Sequence, residues 1–192
     1  MTSEARLFDG LGNRKYLNRL ERGAYFREIS RNRDLAVRTF CLTLFYTGCR
    51  ISEGLNLTPQ RIDLRGETVV FETMKRRRRG HFRAVPIPES LTRLLRQVVN
   101  GRQSATVWAF SRTTAYRLIK DQMAHAGITG AMACPKGLRH GFAVACVTEN
   151  VPLPIGNGHS NGHGEPERAA VTTGDPARPA VGPGGDSPSE SA

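Results

Sequence analysis

Aromatic residues are scarce in this chain: they make up 7% of its 192 residues, with one tryptophan and four tyrosines. The last tyrosine is Tyr116, so the stretch from Arg117 to Ala192 contains no phenolic hydroxyl. No apolar run is long enough to cross a bilayer, which takes about 20 residues. The first residues, Met1-Thr2-Ser3-Glu4-Ala5-Arg6, hold no apolar secretion core. The four cysteines, Cys41, Cys49, Cys134 and Cys146, include no C-x-x-C pair, so no zinc site is expected. Cys41 and Cys146 stand in apolar periodic stretches and read as small core residues. Cys49 precedes Arg50 and is expected to pack beneath it. Acidic residues are also few: 17 against 28 lysines and arginines, a net charge of +11. That surplus favours a polyanionic partner, nucleic acid first and an anionic membrane second. Without a spanning segment or secretion core, the expected location is the cytoplasm, at the nucleoid.

The composition breaks near Pro152–Pro154. From Ile155 onward come Gly, Pro, Ser, Ala and scattered charges without periodicity, which reads as disorder. The tail has Glu165, Glu167, Asp175, Asp186 and Glu190 against Arg168 and Arg178, so the basic character belongs to residues 1–154. The expected organisation is an N-terminal arm at 1–14, a folded domain at 15–154 and a disordered tail at 155–192. The abrupt change at 154–156 reads as a shifted frame or a truncated gene.

Within the folded part, Asn18 is placed to open a helix running through Tyr25 and Ile29. Residues 33–46 form a second, with Leu35, Val37, Phe40, Cys41, Leu44 and Phe45 giving a broad apolar face. Gly48 ends it. Residues 51–55 make a short helix, with Ser52 capping it or facing inward. Strands are expected at 61–64, 68–72 and 82–87. In the third, Val85 and Ile87 point inward and Pro86 marks a sheet edge. Helices follow at 89–99, 113–126 and 138–149. The fold class is α+β, mainly α, with one small antiparallel three-stranded sheet.

Two arginine motifs stand far apart: Thr47-Gly48-Cys49-Arg50-Ile51-Ser52-Glu53-Gly54-Leu55 and Lys136-Gly137-Leu138-Arg139-His140-Gly141-Phe142. Between them, Phe71-Glu72-Thr73-Met74-Lys75 runs into Arg76-Arg77-Arg78-Arg79. Two guanidiniums and a lysine converging on one point would clamp a phosphate, because planar N–H forks match phosphate oxygens. Together these segments resemble the catalytic domain of the tyrosine recombinase (phage integrase) family. The resemblance covers about residues 15–154.

The resemblance implies DNA strand breakage and rejoining at a scissile phosphate, as in site-specific recombination and DNA integration. Arg50 and Arg139 would hold that phosphate. Lys75 would act as general acid to the leaving 5′-hydroxyl; on composition alone 75–79 is also a solvated basic turn riding on the DNA backbone. Arg76, Arg77, Arg78 and Arg79 are expected to touch backbone phosphates. The family pattern is H-x-L-R-H, and Lys136 replaces its first histidine. His140 would buttress the site and touch DNA. Glu53 either holds its helix or orients Arg50. The family's tyrosine nucleophile has no counterpart after the second motif, where Gly158-His159-Ser160 and Thr172-Thr173 only faintly follow its pattern. Tyr116 reads as a packing or DNA-backbone residue. The chemistry needs no metal, nucleotide cofactor or small-molecule substrate. The partner is double-stranded DNA, on which the family assembles as homo-oligomers. A chain lacking the tyrosine is expected to be inactive, or to act as a non-catalytic DNA-binding protein at recombination sites.

Overall fold

Helix α2, Leu35–Thr47, is the centre around which the described residues pack. A computed structural model describes residues 7–73, 80–100 and 105–149. By internal contacts the chain divides after Gly158, and all described residues belong to the part before it. The tail expected at 155–192, with His159 and Thr172-Thr173, lies outside the described residues.

α2 is capped by Asp34, whose carboxylate accepts the N–H groups of Ala36 and Val37. Its length is almost wholly apolar or threonine. Thr39, Thr43 and Thr47 are buried, four residues apart on one face. Each hydroxyl donates to the carbonyl four residues back, at 2.7, 2.8 and 2.6 Å, so the polar atoms are satisfied inside the core. Trp108 donates its indole N–H to Thr39 Oγ1 at 3.0 Å and meets Phe40 edge to face. The lone tryptophan thereby fastens the loop after residue 105 to the central helix.

Around α2 pack α1 (Arg19–Arg31), α3 (Ile51–Leu55), α4 (Glu89–Val99) and α6 (Pro135–Thr148), while α5 (Arg112–His125) lies against α1, α3 and α6. The chain forms β1 (Ile62–Asp63), β2 (Thr68–Glu72) and β3 (Phe82–Pro86), antiparallel in the order β1-β2-β3. Val69 lies opposite Ile62 on one side and Val85 on the other. Val69, Phe71 and Val85 are buried, and β3 is an outer strand, as its proline requires. The mainly helical fold with a small antiparallel sheet is therefore the one the sequence pattern indicates.

Two local expectations change and a third holds. The last helix begins at Pro135, not Leu138, because proline fits the first helical position, where no intrahelical donor is needed. Lys136, Arg139 and His140 thus lie on one helix. Ser52 does not cap α3; Arg50 holds the cap position and Glu53 reaches back to its N–H. Asn18 does cap α1, in a reciprocal box with Glu21, and Glu21 also takes both forks of Arg14. This last bond ties residues 7–16 down: they turn back through a bridge between Phe8 and Arg14.

Leu17 is buried, and its N–H donates to Gly137 O at 3.2 Å. The strand-like entry to α1 therefore lies directly on α6, at two glycines. A Cβ on Gly141 would stand 2.7 Å from Leu17 O, and one on Gly137 would stand 2.0 Å from Met132 O. Helix propensity alone makes alanine better than glycine by about 1 kcal/mol. Here backbone contact reverses the sign, since overpacking costs about 1–3 kcal/mol. Gly137→Ala and Gly141→Ala are each expected to lower the melting temperature by several degrees. Thermal unfolding followed by circular dichroism checks this; an unchanged or raised midpoint would mean the contacts yield.

Candidate phosphate-binding site

The junction between α2 and α3 is built to aim Arg50. Gly48 ends α2 in the left-handed region, φ 55°. A side chain there would be strained, and its Cβ would lie 2.3 Å from a ring carbon of Phe142. The chain then passes through buried Cys49 and places Arg50 at the cap of α3. Three residues on, Glu53 turns back. Its Oε2 accepts the backbone N–H of Arg50 at 2.9 Å, and its Oε1 accepts Arg50 Nη1 at 2.6 Å. Glu53 therefore both holds its helix and orients Arg50.

Two more guanidiniums reach the same carboxylate. Arg83 Nη2, from β3, lies 3.0 Å from Glu53 Oε2. Arg139 Nη1, from α6, lies 3.8 Å from it and donates to the carbonyl of Gly48. One buried anion thus gathers three cations, leaving positive charge in excess. The side chain of Glu53 is 0% exposed and that of Arg83 11%, whereas Arg50 and Arg139 keep 36% and 35% open. The open pair can meet an anion from solvent, and Arg83 cannot do so to the same degree.

Burial alone would raise the Glu53 carboxyl, but the Arg50 N–H and the Arg50 and Arg83 side chains outweigh it and hold it below its usual value. Burial, then the charges of Arg50 and Arg83, push Arg139 below the usual arginine value, with Glu53 opposing. Burial raises the Cys49 thiol to about 11, so it is an inert packing group beneath the arginines.

Lys136 is exposed, one turn before Arg139 and His140 on α6. His140 is half-buried, and its Nδ1 meets no partner among the described residues. Burial and then the charge of Lys136 depress its pKa, with the charge of Arg139 adding to the effect and a contact with the Lys15 backbone opposing it. The structure brings Arg50 and Arg139 together through Glu53 and sets Lys136 and His140 on the helix that carries Arg139. Lys75 and Arg76, Arg77, Arg78 and Arg79 lie outside the described residues. Thr73 N–H donates to His81 O at 2.7 Å, carrying the pairing of β2 and β3 one step beyond Glu72 and Phe82. Among the described residues there is no group of three or more His, Cys, Asp or Glu placed to hold a metal ion. No helix among them is long and apolar enough to cross a membrane.

Sequence reasoning missed Arg83. The signal was its parity: in an alternating strand it shares the face of Val85, and a cation on a buried face needs a partner.

Solved structures with this fold include recombinases and integrases. XerA recombinase aligns with a TM-score of 0.62 at 22% identity, covering 75% of this chain and 56% of that one. XerH site-specific recombinase, bound to a palindromic difH substrate after cleavage, aligns with a TM-score of 0.63 at 18% identity, covering 79% of this chain and 49% of that one. The Tn1549 transposon integrase, in complex with circular intermediate DNA, aligns with a TM-score of 0.56 at 16% identity, covering 79% and 60%. The chain therefore spans roughly half the length of these solved relatives. No curated protein sequence matches it significantly. Residues 25–161 match the phage integrase family, which takes in the Arg50 and Arg139 motifs and most of the described fold, and the chain belongs to that family.

Proposed function

We propose that residues 15–154 bind double-stranded DNA and hold a scissile phosphate between Arg50 and Arg139, in the manner of site-specific recombination and DNA integration. The observation that carries this reading is Glu53: it gathers the two arginines from opposite ends of the sequence while leaving both open to solvent. A trigonal-bipyramidal phosphoryl centre spreads negative charge over its oxygens. Pre-aimed guanidiniums stabilise that charge without reorganising. In this reading Lys136 adds a third cationic donor from α6 and His140 supports it from the next turn. Lys75 delivers a proton to the leaving hydroxyl, and Arg76 to Arg79 neutralise backbone phosphates.

A second surface supports a DNA partner. On α5, Arg112, Tyr116, Arg117 and Lys120 are all exposed on neighbouring turns. Three cations around an exposed ring suit a phosphate backbone with one apolar or stacking contact. Tyr116 belongs to that surface in this reading and is not the nucleophile. DNA bound this way is met in the cytoplasm, by several copies of the chain on one duplex.

We further propose that this chain by itself makes no covalent link to DNA, because it offers no tyrosine after Arg139. Its role would then be to occupy or regulate recombination sites. A nicked suicide duplex, tiled over the DNA flanking its gene and run on a denaturing gel, is expected to trap no covalent adduct. A trapped band would overturn this, and its loss on Tyr116→Phe would make Tyr116 the nucleophile.

Binding itself is checked by gel shift across a salt series. Arg50→Ala and Arg139→Ala are each expected to weaken binding about tenfold or more and to lower the slope of log affinity against log salt by about 0.9. Unchanged affinity in both would remove the clamp.

Glu53 gives a stability test of the same site. Its carboxyl is depressed in the fold, so its stabilisation is complete above the ordinary value of about 4.3 and is lost as pH falls below it. Glu53→Gln is expected to cost about 3 kcal/mol at pH 7, since it strips a buried anion from its cations. Its melting temperature should also fall less steeply than the wild type's between pH 5 and pH 3. Parallel acid slopes in thermal melts would show that the carboxylate is not the group responsible.

A further inference from the structure

We propose that Arg83 is a positioning residue: it occupies the Glu53 oxygen that Arg139 would otherwise take, and so keeps Arg139 free to face a phosphate. This rests on the phosphate clamp proposed above.

Glu53 Oε1 is taken by Arg50 at 2.6 Å. Oε2 already accepts two donors, Arg50 N–H at 2.9 Å and Arg83 Nη2 at 3.0 Å. Arg139 waits at 3.8 Å from that same oxygen, beyond hydrogen-bonding distance, and spends its Nη1 on Gly48 O instead. An oxygen with two short donors has no good lone-pair direction left for a third. If Arg83 is withdrawn, one direction on Oε2 opens, and Arg139 stands 3.8 Å from it. A shift of under an ångström would close a direct salt bridge and draw Arg139 toward the buried carboxylate.

The setting of Arg83 suits this task and no other visible one. Its guanidinium stacks on the ring of Phe71, with Cζ 5.0 Å from the ring centroid. It is only 11% exposed, so it presents little to solvent for an incoming phosphate. It stands on β3, whose pairing with β2 is continuous from Thr68 opposite Pro86 to Glu72 opposite Phe82. The β2–β3 pair is therefore joined to Glu53 by a side chain of its second strand.

The test is a double-mutant cycle on DNA affinity with Arg83→Met, Arg139→Met and both together, alongside side-chain Nε–Hε NMR of the DNA-free proteins. Arg83→Met is expected to weaken DNA binding about tenfold, and the double variant to bind no worse than Arg139→Met alone. Additive losses would make Arg83 a phosphate ligand in its own right and overturn the proposal. In the free protein the Arg139 Nε–Hε signal should shift and sharpen in Arg83→Met as the new salt bridge forms; an unmoved signal would also overturn it. The NMR readout needs no DNA. If the wild type binds no DNA yet the Arg139 signal moves, the clamp reading fails and the positioning role stands. Should Arg83→Met fail to fold, Arg83→Lys keeps a charged donor for Glu53 but loses the planar stack on Phe71. It is expected to show the same pattern at reduced size, and a wild-type Arg139 signal with additive affinity loss would count against the proposal.

Discussion

One buried carboxylate organises this molecule's chemistry. Glu53 receives the backbone N–H of Arg50 at the cap of α3, the side chain of Arg50, the side chain of Arg83 and the approach of Arg139. A carboxylate with no exposure has no water to stabilise its charge, so it must be surrounded by donors or be neutral. The donors around it come from three separate elements: the α2–α3 junction, β3 and α6. Each of these elements is held in place by the others through this anion. The cost of burying Glu53 is met by the cations, and the cations are brought within reach of one another only because Glu53 lies between them. Without it, Arg50, Arg83 and Arg139 would repel.

The scaffold around this point is tight where it needs to be. Gly48 lets α2 end in a left-handed turn and lets the Phe142 ring come close to it, while its carbonyl takes Arg139. Gly137 and Gly141 let α6 sit against Met132 and the Leu17 segment. These three glycines are close approaches of backbone and not hinges. They fix the depth and rotation of α6, and with them the position of Arg139. Cys49, inert beneath the arginines, fills the space under the turn. The threonine stripe of α2 and Trp108 give the core a rigid centre against which the junction is set.

The electrostatic division among the arginines follows from burial. All three share one counter-ion, but Arg50 and Arg139 are the more exposed, while Arg83 is spent on Glu53 and Phe71. A clamp for a phosphate needs cations that are fixed and yet unsatisfied. The carboxylate supplies the fixing, and the shortage of one anion against three cations supplies the unsatisfied charge.

Much of this was legible in the residues themselves. The Asn18 cap, the apolar face of α2, the stop at Gly48, the alternation in β2 and β3 and the edge proline are local facts, because helix and strand periodicity and turn chemistry act over a few residues. The T-G-x-R-x-x-E spacing already placed Glu53 one turn from Arg50, within reach of it on any helix. The start of α6 at Pro135 was misplaced by three residues because a proline reads as a break when it can equally be a first turn. What the sequence by itself determined, then, was the set of elements, the family likeness and the identity of Arg50 and Arg139. What only the tertiary structure decided was their company. Arg83 lies 30 residues from Glu53 and Arg139 lies 91 from Gly48, and no local rule acts across such distances. Those pairs exist because a buried charge accepts whatever cations the packing brings to it, and packing is a property of the whole chain.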